Sequence, residues 1–204
     1  MAIDLTKLLA PETTALVTQE IQRGVIGDLA ALPDLAKEAA GILPNIRKLC
    51  DAARSAGVMI VHCTAERRPD GLGANSNARI FQYMAKMDPL APGSERAQIV
   101  PEVPVHESDL VMPRLHGLSP FHGTELDFVL RNHGIQTIVG VGVSVNVAIT
   151  NLALDAVNSG YQIVLPRDAV AGTPAEYADM VFQHTLRNVG TIVESADITQ
   201  AWAS

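Results

Sequence analysis

Cysteines are few in this chain, and basic residues are fewer than acidic ones. Cys50 and Cys63 are the only cysteines in 204 residues. Two cysteines cannot build a disulfide framework, and they are typical of a protein of the reducing cytoplasm. Lysine and arginine number 15 against 22 acidic residues, which gives a formal net charge of −7. Nucleic acids and anionic membranes bind basic surfaces, so we expect neither as a partner.

Targeting and membrane signals are also missing from the sequence. No stretch approaches the roughly 18 uninterrupted apolar residues that a transmembrane helix requires. The first residues, MAIDLTKLLAPE, include Asp4 and Glu12 and lack a basic segment ahead of an apolar one, unlike a secretory signal. Apolar residues make up 48% and charged residues 18%, a composition that excludes disorder. We therefore expect one domain over residues 1–204, located in the cytoplasm.

Strand-like and helix-like segments alternate along the chain. The apolar segments predicted as strands are 13–18, 58–64, 109–114, 135–142, 161–166 and 191–195. Helical spacing predicts helices over 34–57, with a break or kink at Pro44, and over 124–134, 145–159 and 174–188. Continuous apolar strands between helices indicate a parallel sheet that is covered on both faces. The predicted fold class is α/β, a three-layer, Rossmann-like α/β/α domain with a six-stranded parallel sheet.

Residues 65–108 form a long irregular segment, rich in Gly, Pro, Asn and Arg, with one short helix expected near 78–87. Loops of this length inside a compact domain are commonly functional, as pocket walls or lids. In an open parallel sheet, ligands bind beyond the carboxyl ends of the strands. The residues at those ends are Gln19, Glu20, Gln22, His62, Cys63, Arg114, Leu115, His116, Ser144, Val145, Asn146, Ala148, Arg167 and Asp168.

The turn after the fourth predicted strand partly matches two catalytic motifs. GVGVSV (140–145) is an incomplete dinucleotide fingerprint, because Val145 stands where the third glycine belongs. GVSVN (142–146) approximates a nucleophile elbow centred on Ser144, with Asn146 at the glycine position. The histidine that such a serine needs would be His184, which lies inside a predicted helix. The competing interpretation is that Ser144 only caps the helix that follows.

Metal binding is not indicated by the histidine spacing. The histidines, at positions 62, 106, 116, 122, 133 and 184, form no close pair with ligand spacing. No Asp-x-His cluster follows the second predicted strand. We therefore expect neither a metal nor another cofactor.

Three segments and their spacing carry a family resemblance. They are TALVTQEIQRGVIGD (14–28), the S-x-F-x-G-T-x-L pattern at 119–126 and DAVNSGYQIVLPRDAVAG (155–172). Together they resemble the isochorismatase-like, or cysteine hydrolase, superfamily over nearly the whole chain. The resemblance implies a six-stranded parallel sheet flanked by helices, a small-molecule substrate, and assembly as a homodimer or homotetramer.

The catalytic triad that the resemblance implies is degenerate here. Its Asp, on the first strand, falls on Glu20, a carboxylate suited to donating or shuttling a proton. Its Lys falls on Leu115, between Arg114 and His116, and a shift by one residue would bring either basic group into the site. Its nucleophilic Cys falls on Ala148, which cannot form a thioester.

An isochorismatase also lacks this cysteine and, as the resemblance implies, protonates a vinyl ether before water adds. We therefore expect a hydrolase of a small carboxylated or amide substrate, with Glu20 as general acid/base and without a covalent step. The residues expected to bind substrate are Gln22, Arg79, Phe121, Ser144 and Asn146. The alternative is a catalytically silent member that serves as a binding or assembly module. A third possibility is that residue 148 was changed deliberately. That change would account for Ala148, but not for Glu20 and Leu115, which also depart from the triad.

Overall fold

Six parallel strands form the sheet in the computed structural model, which describes residues 3–203. The strands are β1 Thr14–Gln19, β2 Met59–Ala65, β3 Leu110–Arg114, β4 Thr137–Gly142, β5 Gln162–Pro166 and β6 Thr191–Val193. Their order is β3-β2-β1-β4-β5-β6, and every neighbouring pair is parallel. The predicted fold class is confirmed. The strand order reverses between β1 and β4, where a ligand site is expected.

Helices connect the strands. They are α1 Leu5–Leu8, α2 Pro33–Ala39, α3 Leu43–Ala56, α4 Arg79–Met84, α5 Leu126–Asn132, α6 Thr150–Asn158, α7 Ala175–His184 and α8 Ser195–Trp202. Pro44 lies in the first turn of α3, where its missing N–H is tolerated, so the predicted helix over 34–57 is two helices. A π-helical turn, Val145–Ile149, precedes α6. Within residues 3–203 no helix is long and apolar enough to cross a membrane.

Both faces of the sheet are buried under helices. In β1, Leu16 packs in the cluster that includes residues of α2, α3 and α8. Its neighbours Ala15 and Val17 pack in the cluster that includes residues of α5, α6 and α7. Since successive side chains of a strand point to opposite faces, this alternation gives the three layers of the fold.

The carboxyl ends of β1 and β4 approach each other closely. Gly142 has a φ of 111°, and a Cβ there would lie 2.3 Å from the carbonyl oxygen of Gln19. The backbone N–H of Val143 donates to the same carbonyl at 3.0 Å. Glycine is therefore required at position 142, because a side chain there would keep the carboxyl ends of β1 and β4 apart.

The segment that follows β1 pairs antiparallel with residues 96–100. Gly24 N–H donates to the carbonyl of Arg96 at 2.9 Å, and Val100 N–H donates to the carbonyl of Ile21 at 3.0 Å. This pairing brings part of the long β2–β3 connection against the carboxyl end of β1. It fixes the backbone of a segment whose own secondary structure is limited to the 3-10 turn Glu95–Ala97.

Gln22, which we predicted to bind substrate, makes its side-chain hydrogen bonds to the backbone of the fold. Its side chain is buried, and its Nε2 donates to the carbonyls of Ala65 at 2.9 Å and Ala97 at 3.0 Å. Its Oε1 accepts from the N–H of Ala65 at 2.8 Å. Because both amide hydrogens are used, neither is available to a ligand. The side chain instead joins the end of β2 to the 96–100 segment.

A buried chain of polar side chains crosses the α3 face of the sheet. Thr18 Oγ1 in β1 lies 2.8 Å from His62 Nδ1 in β2, and His62 Nε2 lies 3.4 Å from Asp109 Oδ2. Arg54 of α3 donates to the two oxygens of Asp109 at 3.2 and 2.7 Å. Buried charges are stable only when they are paired and hydrogen-bonded, and this chain meets that requirement.

Burial and hydrogen bonding act in opposite directions on these groups. Burial opposes ionisation of Asp109, but the hydrogen bonds from Arg54 and from His106 N–H outweigh it and lower the pKa to about 2. Desolvation lowers the pKa of His62, and the hydrogen bond with Asp109 offsets this only in part. We therefore expect a neutral imidazole beside an ionised carboxylate.

Replacing Gln22 by leucine should destabilise the fold. Gln22→Leu leaves the N–H of Ala65 and two carbonyls without their partner, which we expect to lower the free energy of unfolding by about 3 kcal/mol. Urea unfolding followed by circular dichroism measures this. Gln82→Leu, on the exposed side of α4, is the matched control and should change stability by less than about 0.5 kcal/mol. Equal losses in the two variants would contradict the structural role.

The lowered pKa of His62 predicts a pH dependence of stability. Below about pH 6.5 the unfolded chain takes up a proton on His62 that the folded protein resists. The contribution of the neutral imidazole is therefore present above about pH 6.5 and is lost as pH falls, at up to about 1.4 kcal/mol per pH unit. His62→Gln should flatten this slope, and urea unfolding at a series of pH values checks it. Equal slopes would contradict it. The lowered pKa of Asp109 affects stability in a separate pH range. Its contribution is present above the ordinary pKa of 3.8 and is lost as pH falls below that value.

Candidate active site

A cavity of about 210 Å³ lies at the carboxyl edge of the sheet, where the strand order reverses. Five of the predicted site residues line it: Glu20, Arg114, His116, Ser144 and Ala148. Most of its walls are apolar. Apolar side chains of the lining include Leu35 from α2, Ile80, Phe81 and Met84 from α4, and Met87 and Leu90 from the loop after α4. The cavity thus combines a few polar groups with an apolar lining, as ligand pockets commonly do.

Glu20 and Arg114 form an ion pair within the cavity. Arg114 Nη2 donates to Glu20 Oε1, and Gln19 Nε2 donates to the same oxygen at 3.0 Å. The Arg114 side chain is 5% exposed and that of Glu20 is 18% exposed. Within residues 3–203, Nε and Nη1 of Arg114 are buried without a hydrogen-bond partner. One edge of the guanidinium therefore holds the carboxylate, and its remaining donors are not satisfied by a described residue.

The backbone of Glu20 adopts a conformation that is unusual for this residue type. Its φ of 52° lies in the left-handed region, which non-glycine residues rarely occupy. Its N–H still donates to the carbonyl of Cys63 at 2.9 Å, which continues the pairing of β1 with β2. Such conformations persist where surrounding contacts hold them, and they cluster at functional sites.

Ala148 lies on the π-helical turn after β4, at the position where the resemblance implies cysteine. It is buried and lines the cavity, and its methyl group carries no nucleophilic atom. Ser144, at the start of the same turn, also lines the cavity, and its side chain makes no capping hydrogen bond. His184 lies at the exposed end of α7 and does not line the cavity. The described residues therefore form no serine triad around Ser144.

The two basic residues beside the expected lysine position both reach the cavity, but only Arg114 contacts Glu20. The ring of His116 packs against Gly123, where a Cβ would lie 3.0 Å from the imidazole Cε1. Leu115 also lines the cavity, and it is 36% exposed. Of these basic side chains, the one that lies against the carboxylate is thus Arg114.

Arg79, which we predicted to bind substrate, does not line the cavity. It begins α4 with an exposed side chain, whereas the next residues, Ile80 and Phe81, line the cavity. Successive residues of a helix point about 100° apart, so a shift of one position moves a side chain from wall to solvent. The helix was predicted, but the face it presents was not.

Phe121 and Asn146, which we also predicted to bind substrate, lie outside the cavity lining. Phe121 is buried in the core beside Tyr161, with ring centroids 5.9 Å apart. Asn146 Nδ2 donates to the carbonyl of Thr173 at 2.7 Å, which ties the turn after β4 to the loop before α7. Both residues support neighbouring loops.

Charged residues that the sequence did not single out also line the cavity. They are Glu66, Arg67, Asp88 and Arg96. All four belong to the long β2–β3 connection. Burial raises the pKa of Glu66. In the sequence, only the length and composition of this segment indicated that it forms a pocket wall. Neither property shows which of its residues face the cavity.

Cysteine chemistry is not supported at this site. Cys50 and Cys63 are both buried and free, and burial raises the pKa of each thiol to about 12. The thiolate is the nucleophilic form, so neither residue is suited to attack a substrate. Among residues 3–203, no group of three or more His, Cys, Asp and Glu side chains is placed to hold a metal ion.

Comparison with known proteins identifies the family. The isochorismatase domain family matches residues 14–197. The ureidoacrylate amidohydrolase RutB of Rhizobium rhizogenes is 32% identical over 198 residues, which cover 89% of this chain and 78% of that protein. A cysteine hydrolase structure from Pseudomonas syringae pv. phaseolicola has a TM-score of 0.83 at 24% identity, covering 95% of this chain and 93% of the other. An isochorismatase family protein from Desulfovibrio vulgaris has a TM-score of 0.82 at 25% identity, covering 94% and 99%. The chain therefore belongs to the isochorismatase family.

Proposed function

We propose that this protein is a hydrolase of a small carboxylated or amide substrate that works without a cysteine nucleophile. The observation that carries the proposal is that Glu20, a carboxylate, and Ala148, a residue without a nucleophilic atom, line one cavity. Family membership supports hydrolysis. The similarity to a ureidoacrylate amidohydrolase favours an amide-type bond over other hydrolysable bonds.

Glu20 supplies acid–base catalysis in this proposal. As the anionic partner of Arg114, its carboxylate is set to accept a proton from a water molecule placed beside Ala148. The oxygen of that water attacks the carbonyl carbon, a C–O bond forms, and the carbonyl becomes an oxyanion. The protonated Glu20 then returns the proton to the leaving nitrogen as the C–N bond breaks, so the carboxylate is regenerated.

Arg114 stabilises charge, because a guanidinium does not release its proton. Its unpartnered Nε and Nη1 are the donors for the oxyanion or for a substrate carboxylate. His116 lines the same cavity and is the second basic side chain beside the expected lysine position. Gln19 positions the base by donating to Glu20 Oε1 at 3.0 Å.

A vinyl ether is the second bond type that this site could cleave. In that reaction Glu20 takes a proton from solvent and delivers it to the alkene carbon, as the likeness to isochorismatases implies. Water then adds to the resulting oxocarbenium ion, and the proton that this water loses returns to Glu20. Assays with ureidoacrylate and with isochorismate separate the amide reaction from the vinyl ether reaction. Either activity would be consistent with a non-covalent mechanism.

Glu20→Gln should lower kcat about 100-fold or more on whichever substrate is turned over, because an amide cannot transfer the proton. KM should change little, since the side chain keeps its size. Steady-state kinetics measure both values. Arg79→Gln, exposed and outside the cavity, is the control and should retain wild-type turnover.

Two outcomes would overturn the catalytic proposal. Full turnover by Glu20→Gln would remove the assigned acid–base group. Absence of turnover by the wild-type protein on amides and vinyl ethers, with ligand binding equal in Glu20→Gln, would instead favour a silent binding module.

The space beside Ala148 is the second testable element. Ala148→Leu should lower kcat by about 100-fold or more, because the larger side chain displaces the attacking water from its position. Ala148→Gly is the matched control that keeps the space open, and it should keep most of the activity. Thermal unfolding of both variants shows whether each still folds. Equal activity in a folded Ala148→Leu variant would contradict a water site beside residue 148.

A further inference from the structure

Arg96 is a cationic side chain on the cavity wall without an acidic partner. It lines the same cavity as Glu20, and its Nε is buried without a hydrogen-bond partner among residues 3–203. Within that range, Arg114 of the same cavity is ion-paired, whereas no ion pair reaches Arg96. An unpaired guanidinium on a largely apolar cavity wall is costly, and an anionic ligand in the cavity would neutralise its charge.

The backbone holds Arg96 in a fixed position. Its carbonyl accepts from Gly24 N–H at 2.9 Å. A Cβ on Gly24 would lie 2.9 Å from that carbonyl and 3.0 Å from Arg96 Cβ, so the two segments are in direct contact. The next residue, Ala97, accepts a hydrogen bond from the buried Gln22 at 3.0 Å. Arg96 is thus presented by a backbone segment pinned on both sides, which lowers the cost of ordering it around a ligand.

The other acidic groups of the cavity do not neutralise Arg96. Glu20 is paired with Arg114. Glu66 and Asp88 line the cavity, and no hydrogen bond or ion pair joins either of them to Arg96 in the described structure. The apolar walls strengthen a charge-assisted hydrogen bond made inside the cavity, because they exclude competing water.

The rest of the cavity wall favours an apolar group attached to the anion. Ile80, Phe81 and Met84 come from α4, and Met87 and Leu90 follow in the same loop. Thioether, aromatic and aliphatic side chains provide contact area but no hydrogen bonds to a polar ligand. A ligand that fills this space therefore needs both an anionic group and an apolar body.

We propose that Arg96 binds a carboxylate of the substrate and that the α4 side of the cavity holds an apolar body attached to it. The substrate class is then an amphipathic carboxylate whose reacting bond lies at Glu20 and Arg114. This assignment rests on the proposed function, because it takes the bound molecule to be the substrate of the proposed hydrolase. Arg96 is the residue that selects for the carboxylate.

Binding of 3-phenylpropanoate, compared with the neutral 3-phenylpropanamide, tests the proposal by isothermal titration calorimetry. The wild-type protein should bind the carboxylate more tightly than the amide. Arg96→Gln should weaken carboxylate binding about 10-fold or more and leave amide binding within about twofold. Arg96→Lys, which keeps the charge, should retain most of the preference for the carboxylate.

Control variants separate the two halves of the proposed site. Phe81→Ala should weaken both probes, because it removes part of the apolar wall. Arg79→Gln, exposed on the same helix, should change neither. The proposal is overturned if Arg96→Gln binds the carboxylate as the wild-type protein does, if it weakens both probes equally, or if the wild-type protein binds neither probe.

The binding test does not depend on turnover. Arg96-dependent binding of the carboxylate by a protein without hydrolase activity would support the anion site and remove the proposed function. Hydrolysis that is lost in Glu20→Gln, together with carboxylate binding that is insensitive to Arg96, would support the function and remove the anion site.

Discussion

The contact between the carboxyl ends of β1 and β4 determines the geometry of the site. A side chain at position 142 would meet the carbonyl of Gln19 at 2.3 Å, so only glycine allows this approach. Because the chain leaves the two strands side by side, the carboxylate of Glu20 and the turn that carries Ala148 share one cavity. The reversal of strand order at this point leaves the space in which a ligand can lie.

Charged side chains near the cavity are paired because the fold takes them largely out of water. Arg114 ends β3, and β2 lies between it and β1, yet its guanidinium reaches Glu20. A buried carboxylate at the mouth of an apolar cavity needs such a partner, since an isolated charge there would be strongly destabilising. The same requirement explains the pairing of Asp109 with Arg54 on the α3 face of the sheet. One pair lies under α3, and the other lines the cavity.

Local patterns in the sequence predicted the six strands and most of the connecting helices, because apolar periodicity depends only on neighbouring residues. They did not predict α1 or α8. Both helices are short, and they depend on each other: Trp202 Nε1 of α8 donates to the carbonyl of Leu9, just after α1, at 3.1 Å. A contact between opposite ends of the chain leaves no signal in either local segment.

The sequence by itself determined the parallel sheet, the strand-end position of Glu20 and the alanine at position 148, where the resemblance implies cysteine. Only the tertiary structure decided which side chains reach the cavity. Gln22 lies two residues from Glu20 but is used up in hydrogen bonds to the backbone of Ala65 and Ala97. Arg96, in a segment without periodicity, reaches the cavity wall because that segment pairs with the chain after β1. Strand position follows from local hydrophobic pattern, whereas the direction of a loop side chain is set by backbone pairing between residues far apart in sequence.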